Sequence, residues 1–179
     1  MTDSRAPHGR EQPWSDDVPE QGRVVAVTDN PIGRAVVQIA SLTGRPTQLL
    51  ADEDVEQLPV DWLAEHPLTP ADAIVLCDHD TPGMDALLRA ALAGEAGYVA
   101  MMGSRRRAES VFAALERDLD EPTMARLHVP AGLNTGGKAP GEIALSVVAE
   151  IVARSNGRDG GPMRRQPRLP SAASGHRRP

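Results

Sequence analysis

Four segments of the 179-residue chain combine residue types that could hold an anion or move a proton. The first is Thr28-Asp29-Asn30-Pro31-Ile32-Gly33. In a Gly-x-Gly-x-x-Gly turn, bare backbone approaches a pyrophosphate at a helix N-terminus, and the last glycine permits close helix–strand packing. Here Thr28 and Asn30 stand in place of the first two glycines, and only Gly33 remains. Asp52 lies about 20 residues further on, where an acidic side chain would hold a ribose. The second segment is Cys77-Asp78-His79-Asp80. An imidazole between carboxylates could relay a proton or form half of a metal site; equally, Asp78 or Asp80 could cap a following helix. The third, Gly103-Ser104-Arg105-Arg106-Arg107, sets a turn, a hydroxyl and bidentate guanidinium donors at a helix start. Three arginines there oppose the helix dipole unless an anion or a carboxylate offsets them. The fourth runs from Gly132 through Asn134, Gly136, Gly137 and Lys138 to Gly141-Glu142. Its glycines allow close backbone approach, but Ala139 follows the chain's one lysine, so the P-loop spacing fails and an NTPase is rejected.

The elements that must position these segments follow from the hydrophobic pattern. Val24–Val27 is a continuous apolar run, as expected of a strand buried on both faces of a parallel sheet. A helix follows, with Asn30 as its cap, Pro31 in its first turn and Gly44 at its end. Ile32, Val36, Val37, Ala40 and Leu42 supply its inward stripe. Thr47–Leu50 reads as a weaker second strand, and 55–63 is ambiguous because Pro59 breaks any long helix. Ala73–Cys77 and Tyr98–Met102 read as strands three and four, each followed by a helix, over Met84–Ala93 and from Arg105 to about Leu115. A short helix from Glu121-Pro122 is expected to end near His128, with Leu133 in a fifth strand. Pro140 opens a last helix with Ile143, Ala144, Val147, Val148 and Ile151 inward. This β-α-β order implies an α/β, Rossmann-like parallel sheet with right-handed crossovers and helices on both faces. Residues 1–21 and 155–179, polar and rich in Pro, Gly, Ser and Arg, read as disordered tails around a domain spanning 22–154.

Composition narrows the function classes. With 40% hydrophobic residues the chain can bury a core, and one cysteine, Cys77, excludes an internal disulfide framework and argues against a thiolate metal site. Trp14, Trp62, Tyr98 and Phe112 are the only aromatics, too few to stack single-stranded nucleic acid. No apolar run reaches the roughly 18 residues of a membrane span and no signal peptide is visible, so a cytoplasmic protein without membrane or nucleic-acid partners is expected. The net charge of −6 hides an asymmetry: from Arg154 onward seven arginines face one acid, leaving −12 on the rest. The basic tail reads as solubilising.

Taken together the segments resemble the Rossmann domain of the XdhC/CoxI family, accessory proteins of molybdenum hydroxylases such as xanthine dehydrogenase. Asp78-His79-Asp80 matches the family's Thr-His-Asp. Tyr98-Val99-Ala100-Met101-Met102-Gly103-Ser104-Arg105 matches its Tyr-Val-Gly-x-x-Gly-Ser-Arg block. Leu127 to Gly137, Pro140 to Ala144 and Ala149-Glu150-Ile151-Val152 match its last blocks. The chain departs at Thr28-Asp29-Asn30, where the family has Gly-Ala-Gly, and at Asp78 and Asn134, in place of Thr and Asp. The resemblance implies binding of molybdenum cofactor (molybdopterin) and help in its maturation or insertion into a xanthine or CO dehydrogenase-like hydroxylase. The partners implied are that enzyme, a separate N-terminal XdhC-type domain or a sulfurase; a homodimer is left open. Thr28, Asn30, Gly33, Asp52, His79, Asp80, Gly103, Ser104, Arg105, Asn134, Gly136 and Gly137 are the candidate cofactor-binding residues, with no catalytic residue and no metal ligand among them. Two other readings stand beside this one. One is a degenerate interaction module without ligand. The other is an NAD(P)-dependent oxidoreductase, disfavoured because Met102 rather than Lys lies four residues after Tyr98 and the glycine fingerprint is incomplete.

Overall fold

The computed structural model describes residues 21–51, 58–78 and 83–163. Its elements, in chain order, are β1 (Val24–Val27), α1 (Pro31–Leu42), β2 (Thr47–Leu50), α2 (Pro59–Glu65), β3 (Ala73–Leu76) and α3 (Met84–Ala93). After these come β4 (Tyr98–Met101), α4 (Arg105–Leu115), α5 (Glu121–Met124), β5 (Leu127–His128) and α6 (Pro140–Ser155). The five strands form one parallel sheet in the order β2-β1-β3-β4-β5. This is the doubly wound Rossmann-like arrangement expected, with the order reversing between β1 and β3.

The apolar runs of β1, β3 and β4 are buried at every position because both faces of the sheet are covered. Alternate side chains sort to opposite layers. Val25, Val27, Ile74, Leu76, Val99 and Met101 pack with Leu87, Leu88 and Leu92 of α3 and Val111 and Leu115 of α4. On the other face Val24, Ala26, Val75 and Ala100 meet Val36 and Ala40 of α1 and Ala144, Val147, Val148 and Ile151 of α6. The weaker second strand is the sheet edge, half-buried except at Leu50.

Three expectations are corrected. Leu42 does not face inward: it is 86% exposed, since six residues beyond Val36 carry it off the stripe at 3.6 residues per turn. In the ambiguous stretch 55–63, residues 55–57 lie outside the described residues and α2 starts at Pro59, where a first-turn residue needs no N–H partner. The fifth strand is Leu127–His128, paired with Val99 and Ala100, not a strand at Leu133, and the short helix before it stops at Met124. Leu133 is drawn away from the sheet, its N–H donating to the Ser146 carbonyl of α6 at 3.2 Å. The 154/155 boundary falls in the last turn of α6, and Gly160 lies against the Leu133 side chain.

At the amino end of the sheet, the buried Arg45 sits where α1 and α6 both end. Its Nη2 donates to Ser155 Oγ at 2.7 Å. Burial pulls its pKa down, and the negative ends of two helix dipoles offset part of that cost.

Gly33 is the glycine the fold cannot spare. A Cβ there would stand 2.3 Å from the Thr28 carbonyl oxygen, a backbone atom with nowhere to go. Gly33→Ala is therefore expected to cost about 2 kcal/mol through overpacking, read as a lower urea midpoint at unchanged m-value.

Candidate functional site

Where strand order reverses, α1 leaves β1 toward one face and α3 follows β3 toward the other, so their loops part and open a crevice at the carboxyl ends. The crevice has a volume of about 650 Å³ and extends toward β4 and β5. Cys77, Asp78, Gly103, Arg105 and the loop from Pro130 to Lys138 line it. Of the candidate residues it thus brings together Gly103, Arg105, Asn134, Gly136 and Gly137. Asp52, His79 and Asp80 lie outside the described residues.

The β1 side of the crevice is closed by the chain itself. Asn30 Oδ1 accepts from the backbone N–H of Ile32 and of Gly33, both at 2.9 Å, and its Nδ2 donates to the Cys77 carbonyl at 2.9 Å. Thr28 is buried, with φ +85, a value that costs a β-branched residue strain. Its Oγ1 has no hydrogen-bond partner among the described residues. Thr28, Asn30 and Gly33 consequently serve the strand–helix joint and do not line the open crevice.

The β4 side remains open. Ser104 caps α4, its Oγ accepting from Arg107 N–H at 3.2 Å and its carbonyl from Ala108 N–H at 2.9 Å. The N–H groups of Arg105 and Arg106 are left without an acceptor among the described residues. Arg107 turns toward Asp85 at 3.5 Å, whereas the exposed Arg105 lines the crevice without a carboxylate partner among the described residues. Arg105 and Lys138 face one lining acid, Asp78, so the crevice walls favour an anion.

The β5 side is a glycine loop, each bend with its own cause. Gly132 has φ +96, and a Cβ there would come within 2.4 Å of Ser146 Oγ. Gly136, at φ +76, borders open space. Glu142 reaches back to the start of α6 and accepts from the N–H groups of Lys138 and Ala139 at 3.0 and 3.1 Å. That helix N-terminus already holds a carboxylate.

Beneath this loop lies a polar cluster that the sequence reading did not count among the site residues. Glu150 Oε2 accepts from Tyr98 Oη at 2.6 Å and from Gly132 N–H at 2.8 Å, and Oε1 pairs with His128 Nδ1 at 3.0 Å. The Tyr98 and His128 rings stack with centroids 4.2 Å apart. Burial alone would raise the Glu150 carboxyl, but hydrogen bonds from His128, Tyr98 and Gly132 outweigh it and hold its pKa at about 2. Tyr98 is pushed well above the ordinary phenol value, first by burial and then by the Glu150 charge. A sequence signal existed: His128 and Glu150 each interrupt an apolar run, Tyr98 is the polar-tipped start of one, and each belongs to a block that carries the family resemblance.

Among the described residues no group of three or more His, Cys, Asp or Glu is placed to hold a metal ion, and no helix is long and apolar enough to cross a membrane. A doubly wound parallel sheet with an anion-favouring crevice at its carboxyl end defines a Rossmann-type domain. The family model for the XdhC Rossmann domain matches residues 24–151, and the chain belongs to that family. It is 36% identical over 100 residues to the uncharacterised protein YqeB of Escherichia coli K12, covering 55% of this chain and 17% of that one. It is 28% identical over 102 residues to a probable xanthine dehydrogenase subunit of Bacillus subtilis 168, covering 57% of this chain and 29% of that one. The matched part is thus less than a third of either relative's length. The crystal structure of a xanthine dehydrogenase from Bacillus halodurans shares the fold at TM-score 0.62 and 21% identity, over 77% of this chain and 44% of that one.

Because the folded-state pKa of Glu150 is depressed, its contribution is fully present above pH 4.5 and is lost as pH falls from there toward 2. Solvent reaching part of the carboxylate limits that contribution to about 2 kcal/mol. Glu150→Gln is expected to cost about that much at pH 7 and to flatten the acid limb of stability. Chemical denaturation at pH 7, 4 and 3 reads both effects; an unchanged acid limb in the variant would count against this role.

Proposed function

We propose that this domain binds molybdenum cofactor in the crevice and serves, without catalysing a reaction itself, in the maturation of a xanthine dehydrogenase-like molybdenum hydroxylase in the cytoplasm. The observation that carries the reading is the open α4 start in a chain of the XdhC family. Two N–H groups and Arg105, without acceptors among the described residues, stand there beside a crevice of about 650 Å³. Molybdopterin bears a terminal phosphate, and a helix N-terminus with a guanidinium fork suits such a group. The Gly136 backbone borders open space, so a flat polar ring can approach it without side-chain interference. The volume lies within the range of small-cofactor sites. The bound group would supply the metal chemistry; the chain's residues bind and orient it and present it to the recipient enzyme. The apo-hydroxylase, and a separate N-terminal XdhC-type domain or a sulfurase, are the partners this role requires. The Bacillus subtilis relative, a probable xanthine dehydrogenase subunit, supports the association.

The test is titration of the full chain with molybdopterin released from a purified molybdoenzyme, followed by the pterin's fluorescence. Wild-type protein is expected to bind, and Arg105→Ala to weaken binding about tenfold, the worth of one charge-assisted hydrogen bond. Wild-type protein without affinity would end the cofactor reading and leave an interaction module.

A further inference from the structure

The first loop holds an arrangement that the cofactor reading does not use. In a dinucleotide fold the pyrophosphate rests on the N-terminus of the first helix, received by free N–H groups and the helix dipole. Here the chain has taken every one of those donors. Ile32 and Gly33 give their N–H groups to Asn30 Oδ1, Arg34 gives its own to the Asn30 carbonyl at 3.0 Å, and Pro31 has none. The amide nitrogen of Asn30 spans the strand reversal to the Cys77 carbonyl, so three hydrogen bonds fix the side chain between the ends of β1 and β3. Thr28, buried beside it, holds a backbone conformation (φ +85) natural to glycine.

We propose that Asn30 is a built-in occupant of the phosphate seat and, with Thr28, determines which class of ligand the crevice accepts. Ligands that need a pyrophosphate on α1 are refused, among them NAD(H) and a dinucleotide form of molybdopterin. Ligands carrying a single terminal phosphate are accepted through α4. The identity of the accepted ligand rests on the proposed function; the refusal of pyrophosphates does not.

The experiment uses the full chain and ADP as the pyrophosphate probe, measured by calorimetry. Thr28→Gly combined with Asn30→Gly restores glycine at all three fingerprint positions. Glycine is nearly as good an N-cap as asparagine, so the helix start survives the change. The double variant is expected to bind ADP at least about tenfold more tightly than wild type. Asn30→Asp, which keeps the cap and adds charge, is expected to gain nothing. Wild type binding ADP as well as the double variant would overturn the inference, as would a cooperatively folded double variant without a gain. Should the double variant not fold, Asn30→Gly alone carries the same expectation and the same refutation. Gain of ADP binding in a protein whose wild type ignores molybdopterin would sink the cofactor reading and leave this inference standing. Wild-type binding of molybdopterin with no ADP gain would do the reverse.

Discussion

The Glu150 carboxylate is the point on which the open side of the crevice depends. It collects a phenol from β4, an imidazole from β5 and a backbone N–H from the crevice loop, all on one residue of α6. A two-residue edge strand has little ladder to hold it. The His128–Glu150 hydrogen bond and the stacked rings replace the missing backbone bonds, and the same oxygen that anchors Tyr98 fixes the glycine loop at Gly132. Charge-assisted hydrogen bonds to a partly buried carboxylate are among the stronger polar contacts available to a protein. Without this cluster the loop would be tied to β4, among the described residues, by the Ala131 N–H on the Met101 carbonyl at 3.2 Å alone.

Two helix starts at the same end of the sheet have met opposite fates from a third. At α1 the first-turn donors are consumed by Asn30, and at α6 Glu142 sets a carboxylate at the helix start, held by the N–H groups of Lys138 and Ala139 just before it. The Asn30 cap removes an anion seat and stabilises its helix, and the Glu142 charge disfavours a second anion at α6. At α4 a serine hydroxyl satisfies one donor only, and an arginine rather than an acid follows it. A first turn with no acidic residue and basic neighbours is unfavourable for an isolated helix. The chain tolerates it beside a crevice, which is the pattern expected of a place reserved for an external anion.

The self-capped first loop also bears on the oxidoreductase alternative. A nicotinamide dinucleotide needs the seat that Asn30 fills, so the geometry adds a physical obstacle to the one suggested by the missing glycines. Thr28 makes the departure costly: a buried, β-branched residue at positive φ, its hydroxyl unpartnered among the described residues, is tolerated only where surrounding contacts enforce it. Such strain beside a crevice is where sequence and local preference are expected to disagree.

Much of the architecture was written in local pattern. Continuous apolar runs at Val24–Val27, Ala73–Leu76 and Tyr98–Met101, short and bounded by turn residues, read as strands with both faces covered, and their alternation with helical stripes points to a parallel sheet. Asn30, Pro31 and Gly44 marked the limits of α1 through cap chemistry that acts within a few residues. The role of Gly33 in packing was legible for the same reason. What sequence could not supply was any choice made across the chain. That Leu127 and not Leu133 joins the sheet was decided by a hydrogen bond to α6, and a two-residue strand leaves no periodicity to read. That Arg105 opens onto the crevice while Arg107 turns to Asp85 depends on the placement of α3. Tyr98, His128 and Glu150 lie in three separate elements, and only the sheet order and the packing of α6 bring them within hydrogen-bond reach. The same holds for the Asn30 amide, whose reach to Cys77, 47 residues away, turned a damaged-looking fingerprint into a closed seat.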